Sequence, residues 1–136
     1  MNEIDIKILQ LLKENGRMTY VDIGKAVGLS EGAVRNRVQD LVDSGVIRRF
    51  TLDIVPALEF RAIIMVSVDP SVPTSKISTS ITKLPGVERI YEVTGEYDIV
   101  AIVSSQNIEG VNHIIEEIRG IEGVVRTNTQ IVLRTV

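Results

Sequence analysis

Apolar residues recur at helical spacing over residues 2–15, where Ile4, Ile8 and Leu11/Leu12 share one side with Leu9 beside them. Glu3 and Asp5 in the first turn suit the positive end of a helix dipole, and Asn15-Gly16 ends the element. Thr19 is a candidate N-cap for a shorter helix reaching about Ala26, with Val21/Ile23 and Val27 inward. Gly28-Leu29 makes a tight connection to Ser30, a second N-cap, and from there Ala33/Val34, Val38, Leu41 and Val42 form one apolar face. Gly45 stands where a helix C-terminal glycine belongs. Helix, short helix, Gly-containing turn and helix is the order of a helix-turn-helix with a supporting first helix. Val46–Leu52 then alternates in a β-prone way, which predicts a short hairpin or wing strand.

Residues 51–60 form a boundary that Pro56 interrupts, and from Arg61 the texture changes. Arg61–Val68 and Val87–Thr94 read as strands, as does Asp98–Ser104, whose apolar residues fall on both faces and place it centrally. Val124–Val136 reads as a fourth strand. A helix capped by Thr74 or Ser75 carries Ile77, Ile81 and Leu84, and a helix over Asn107–Arg119 turns Ile108, Val111, Ile114/Ile115 and Ile118 inward. The order is βαββαβ. An internal echo supports it: Leu84-Pro85-Gly86-Val87-Glu88-Arg89 matches Ile121-Glu122-Gly123-Val124-Val125-Arg126, each where a helix hands over to a strand. The expected class is α+β, a (winged) helix-turn-helix over 1–50, an ordered connector over 51–60 and a ferredoxin-like βαββαβ domain over 61–136. Such a sheet has helices on one face only, and a dimer formed by pairing two sheets would cover the other.

Composition narrows the chemistry. Among 136 residues there is no Cys or Trp and a single His, which excludes disulfides, thiolate metal sites and cysteine nucleophiles and argues against a protein-ligated zinc site. No cofactor is expected. The first residues lack the regions of a secretion signal and no apolar run approaches a membrane span, so a cytoplasmic protein is expected. Net charge is −3, but Arg17–Arg49 holds six Lys/Arg against four Asp/Glu, while Arg61 onward holds seven against nine. The weakly basic part coincides with the helix after Ser30, whose outer face carries Glu31, Arg35, Asn36 and Gln39, with Arg37 at its side. Arg, Asn and Gln are the side chains that read base edges bidentately. His113 reads as a surface helix residue.

A helix-turn-helix joined to βαββαβ resembles the Lrp/AsnC (feast/famine, leucine-responsive) transcriptional regulators. The resemblance covers essentially the whole chain. It is carried by Ile4-Asp5-Ile6-Lys7-Ile8-Leu9, by Gly28-Leu29-Ser30, Val34, Arg37-Val38, Leu41 and Gly45-Val46-Ile47, and by Pro85-Gly86-Val87, Gly95-Glu96-Tyr97-Asp98 and Thr127–Leu133. Two positions depart from the family pattern. Gly24 replaces a helix-favouring Ala, which should weaken the second helix by up to about 1 kcal/mol. Glu59 stands where a Gly often follows.

The resemblance implies a DNA-binding regulator, not an enzyme, that responds to a free amino acid. Ser30, Glu31, Gly32, Arg35, Asn36 and Gln39 would face the major groove of double-stranded DNA. There Gly32 allows close approach, Arg35 would take a guanine, and Asn36 or Gln39 an adenine. Glu31 would accept from cytosine or orient Arg35. Arg37 would meet a phosphate or pair with Asp40 or Asp43. Arg17, Thr19, Tyr20, Arg48 and Arg49 are phosphate candidates. The family implies an effector pocket between dimers, near Gly95, Glu96, Tyr97 and Asp98 and near Thr127, Thr129, Gln130 and Ile131. Asp98 would hold the ammonium group, Thr127 and Thr129 would offer hydroxyls, and nearby backbone N–H groups would take the carboxylate. The competing reading is a plain hairpin whose Asp caps its own loop. The dimer would assemble to an octamer or another multiple. Two alternatives share the layout: a siroheme-decarboxylase-like enzyme, and an effector-sensing assembly module without DNA binding.

Overall fold

The computed structural model describes residues 1–54 and 59–136. The chain divides into two compact units, Met1–Ile54 and Val55–Val136. The expected connector over 51–60 falls partly outside the described residues, Pro56 included; Thr51–Ile54 carries no regular element.

Three helices build the first unit: α1 (Glu3–Glu14), α2 (Tyr20–Val27) and α3 (Glu31–Asp43). Each starts on a side-chain cap that satisfies a free backbone donor. Asn2 accepts from the Asp5 N–H at 3.0 Å while Asp5 accepts from the Asn2 N–H at 3.1 Å, a reciprocal capping box. Thr19 accepts from Asp22 at 3.1 Å and Ser30 from Ala33 at 3.2 Å. The core is Ile8, Ile23, Val34 and Val38, with Leu11, Leu12, Tyr20 and Ile47 packed on it. Val21, expected inward, is exposed, because Ile23 and Val27 already occupy the inner side of α2.

Gly24 has a structural reason. A Cβ built there would lie 2.3 Å from the Leu29 carbonyl oxygen. That oxygen belongs to the turn entering α3, so the missing methyl sets how closely α2 approaches it.

The wing is absent. Val46–Ile54 forms no strand among the described residues. Ile47 turns inward, its N–H reaching the Leu41 carbonyl at 3.0 Å. Phe50, Leu52 and Ile54 are left exposed. The alternating pattern is real, but a strand needs a ladder partner and the described residues of this unit supply none.

The second unit contains β1 (Phe60–Val68), α4 (Thr74–Thr82), β2 (Val87–Glu92), β3 (Ile99–Ser105), α5 (Ile108–Arg119) and β4 (Val124–Ile131). Its strands form one antiparallel sheet in the order β2-β3-β1-β4, the ferredoxin-like arrangement. β3 is central, as its two apolar faces require. Ala62, Ile64 and Val66 of β1, with Ile99, Ala101 and Val103 of β3, are buried with Ile77 and Ile81 of α4 and Val111, Ile114 and Ile118 of α5. The echo in sequence is an echo in structure. Gly86 and Gly123 both adopt positive φ (88° and 99°), and the next residue's N–H reaches back three positions, at 3.4 Å for Val87 and 3.1 Å for Val124.

Boundaries differ in places. α4 begins directly after Pro73, which occupies the N-cap position and offers no side-chain acceptor, so Thr74 is already helical and neither it nor Ser75 caps the helix. β2 ends at Glu92 and β4 at Ile131, two and five residues before expectation. Ile108 is exposed because it opens α5. On the face away from the helices, Ile63 and Met65 of β1 and Val100 and Ile102 of β3 are half-buried, and Tyr91 of β2 is exposed. No helix among the described residues is long and apolar enough to cross a membrane.

Candidate nucleic-acid interface and effector region

The two sides of α3 differ sharply. Val34, Val38 and Leu41 are buried, while Glu31, Gly32, Arg35, Asn36 and Gln39 are all exposed. These five recur at one-turn spacing and form a single polar stripe opposite the core. The stripe is internally organised. Arg35 pairs with Glu31 one turn before it, and its guanidinium lies over the Tyr20 ring, 5.6 Å from the centroid. Gln39 donates to Asp43 at 2.8 Å. Ser30 and Thr19 each accept one backbone N–H as a helix cap, and each hydroxyl keeps its own proton as a donor.

Arg37 faces elsewhere. It meets the Asp5 carboxylate at 3.1 Å and the Asn2 side-chain oxygen at 3.2 Å. Its partner is thus neither Asp40 nor Asp43 but the capping box of α1, which ties the start of α1 to the middle of α3. The Asn2 backbone N–H, with Arg37 assisting, holds the Asp5 carboxyl below its ordinary range. Sequence reasoning named Arg37 but missed this partner; the Asn2…Asp5 spacing of a capping box was the available signal. Arg17, Arg48 and Arg49 are exposed, and among the described residues no ion pair engages them.

In the second unit, Gly95 turns the chain at φ 111° and Asp98 anchors the return. An Asp98 carboxylate oxygen accepts from the Val68 N–H at 2.8 Å, and the Asp98 N–H donates to the Val66 carbonyl at 2.9 Å. Its carbonyl accepts from Val93 at 2.9 Å. Asp98 therefore stitches the 95–98 turn to the end of β1, where the β1–β4 register shifts. Arg126, which sequence reasoning overlooked, joins the same turn: it reaches Glu96 at 3.1 Å and lies 5.1 Å from the Tyr97 ring centroid. An Arg beginning a strand carries no local signal of what it will meet across the sheet.

The other effector candidates spread along β4. Thr127, Thr129 and Ile131 pair with Val66, Ile64 and Ala62, so they point to the helix-covered side, whereas Gln130 pairs with Ile63 and points to the open side. Thr127 is close to the turn, and Ile131 is four residues further along. Within one chain these eight residues do not form a single cluster. A shallow cavity of about 280 Å³ lies beside Thr127, lined also by Arg119, Val124, Val125 and Arg126. A second, of about 260 Å³, lies at Val72, Pro73, Lys76 and Glu122, away from every candidate. His113 is on the surface, 76% exposed, within 3.6 Å of Glu117.

Comparison with known proteins matches both units. A winged helix-turn-helix DNA-binding family profile matches residues 1–48, and the profile of the Lrp/AsnC ligand binding domain matches residues 61–136. The HTH-type transcriptional regulator LysM of Saccharolobus solfataricus is 49% identical, over 99% of this chain and 95% of its own length. The HTH-type transcriptional regulator FL11 of Pyrococcus horikoshii is 37% identical, over 99% of this chain and 91% of its own. Among solved structures, the leucine response regulatory protein of Mycobacterium tuberculosis aligns with a TM-score of 0.84 at 28% identity, covering 99% of this chain and 94% of that one. A transcriptional regulator of Neisseria meningitidis, solved as a complex with L-Met, aligns with a TM-score of 0.75 at 28% identity, covering 100% and 92%.

Proposed function

The chain belongs to the Lrp/AsnC family of helix-turn-helix transcriptional regulators, and from that premise we propose how it recognises DNA and what gates it. It is a DNA-binding regulator whose C-terminal domain responds to a small effector. In our reading a cytoplasmic homodimer, assembling further to an octamer or another multiple of dimers, sets two copies of α3 into successive major grooves. Arg35, Asn36 and Gln39 read base edges, Gly32 lets the backbone approach, and Arg17, Arg48 and Arg49 contact phosphates. The half-sites then lie about 34–36 Å apart or at a multiple of that spacing.

The observation that carries this reading is the single exposed stripe of α3, opposite its buried Val34/Val38/Leu41 side and preceded by the α2 turn. The half-buried apolar face of the sheet supports dimerisation, since a second sheet is the economical cover for it. The effector we propose is a free amino acid bound near the 95–98 turn. The L-Met complex of the Neisseria meningitidis regulator supports that class. Because Asp98 and the β4 residues are dispersed within one chain, we place the pocket where two dimers meet. The reading includes no catalytic step, and the regulator names of the relatives weigh against a decarboxylase.

Selection of duplexes from a random pool tests the DNA part. An enriched pseudo-palindrome is expected; absence of any sequence preference refutes it. Thermal shift against the twenty amino acids tests the effector part. Stabilisation by one of them is expected, and none at millimolar concentration refutes it.

A further inference from the structure

Arg35 is held differently from the other exposed arginines of its unit. Its pair with Glu31 lies within one helix and joins two exposed side chains. Alone, such a pair stabilises a helix only slightly and leaves the guanidinium free to swivel. The second contact comes from another element. Tyr20 opens α2, and its body packs against the core of Ile8, Ile23, Val34 and Val38, so the ring is fixed. The Arg35 guanidinium lies over that ring, 5.6 Å from its centroid. An aromatic face attracts the cation and directs it without using its N–H groups, which stay available as a planar fork. That fork is what a guanine O6/N7 edge accepts.

We propose that Tyr20 is a positioning residue for sequence readout. Its ring aims Arg35, so the guanine preference of each half-site depends on a residue of α2 that touches no base. Glu31 is the counter-ion that the guanine displaces. This inference rests on the proposed entry of α3 into the major groove, and it turns Tyr20 from a phosphate contact into a support for Arg35.

The test uses the full chain and the duplex enriched from a random pool, with single-base variants compared by fluorescence anisotropy. In the wild type, one half-site position discriminates for guanine. Arg35→Ala loses that discrimination, about 5- to 150-fold. Tyr20→Phe keeps it. Tyr20→Leu lowers it about 2- to 5-fold at that position alone. Its other positions and its salt dependence are unchanged. Adding Tyr20→Leu to Arg35→Ala changes nothing further.

Equal discrimination by wild type and Tyr20→Leu overturns the proposal. So does a uniform loss of affinity in Tyr20→Phe, which would mark a phenol–phosphate contact. A measurement on the wild type stands apart from any variant's folding: by NMR of the free protein, the Arg35 side-chain protons are shifted upfield by the ring, and unshifted protons overturn the proposal. A wild type that enriches no sequence refutes the regulator reading itself. An enriched guanine that ignores Tyr20 refutes this inference alone.

Discussion

Gly24→Ala sets helix propensity against close packing, and the structure decides the sign. In an exposed helix interior, Ala is favoured over Gly by about 1 kcal/mol. At Gly24 the added methyl would lie 2.3 Å from the Leu29 carbonyl oxygen, against ordinary contact at 3.4–4 Å. The obstacle is backbone and would have to retreat by about 1 Å, judged against the contact distances of a packed interior. The same stretch is tied back to α2, since the Gly28 and Leu29 N–H groups both donate to the Gly24 carbonyl, at 2.8 and 2.9 Å. Overpacking costs about 1–3 kcal/mol, and a rigid obstacle belongs in the upper half of that range. The net expectation is a destabilisation of about 1–2 kcal/mol, after crediting the propensity gain. Thermal unfolding of the full chain, with hydrogen exchange of the amides over 20–43, reads it directly. DNA affinity should fall as well, because α3 follows the displaced turn. Gly32→Ala is the internal control. Nothing lies within 4 Å of a Cβ there, so it should stabilise the first unit by up to about 1 kcal/mol while weakening DNA binding. Stabilisation by Gly24→Ala would refute the close-approach argument.

Three further expectations follow from other parts of the molecule. Asp5 titrates below its ordinary value of 3.8 when folded, so its contribution to stability is present above that value and is lost as pH falls through the lowered one. Acid unfolding followed by circular dichroism should therefore be less pH-dependent in Asp5→Asn. It should not become flat, because Asp69, held low by the Ser71 N–H and hydroxyl, titrates in the same window. Arg48→Ala and Arg49→Ala should each reduce the slope of log K against log salt by about 1 and leave base preference intact, as measured by anisotropy titrations at several salt concentrations. Asp98→Ala should cost about 1.5–3 kcal/mol even without effector, because the Val68 N–H loses a charged acceptor. Asp98→Asn keeps an acceptor there and separates the structural role from effector binding in a thermal-shift titration.

Much of the architecture was legible locally. The periodicity of Ile4–Leu12 and of Val34–Leu41, and the caps at Thr19 and Ser30, act within one or two turns of backbone, so the local order of residues reveals them. The repeated Gly-Val turns before β2 and β4 exposed the duplicated βαβ for the same reason. The polar stripe of α3 was readable because a helix fixes which residues share a face. What the sequence could not reveal were pairings between distant positions. Arg37 found Asp5 across thirty-two residues, and Arg126 found Glu96 across thirty. Asp98 found Val68 across thirty as well. The alternating Val46–Leu52 run promised a strand that finds no ladder partner among the described residues. Gly24 read as a weakness until the Leu29 carbonyl appeared beside it. For the ion pairs and for Asp98 the deciding partner is brought near only by the packing of whole elements, whereas Leu29 meets Gly24 through the geometry of the turn between α2 and α3. A contact energy falls off over a few ångströms of space, and sequence separation does not measure that distance.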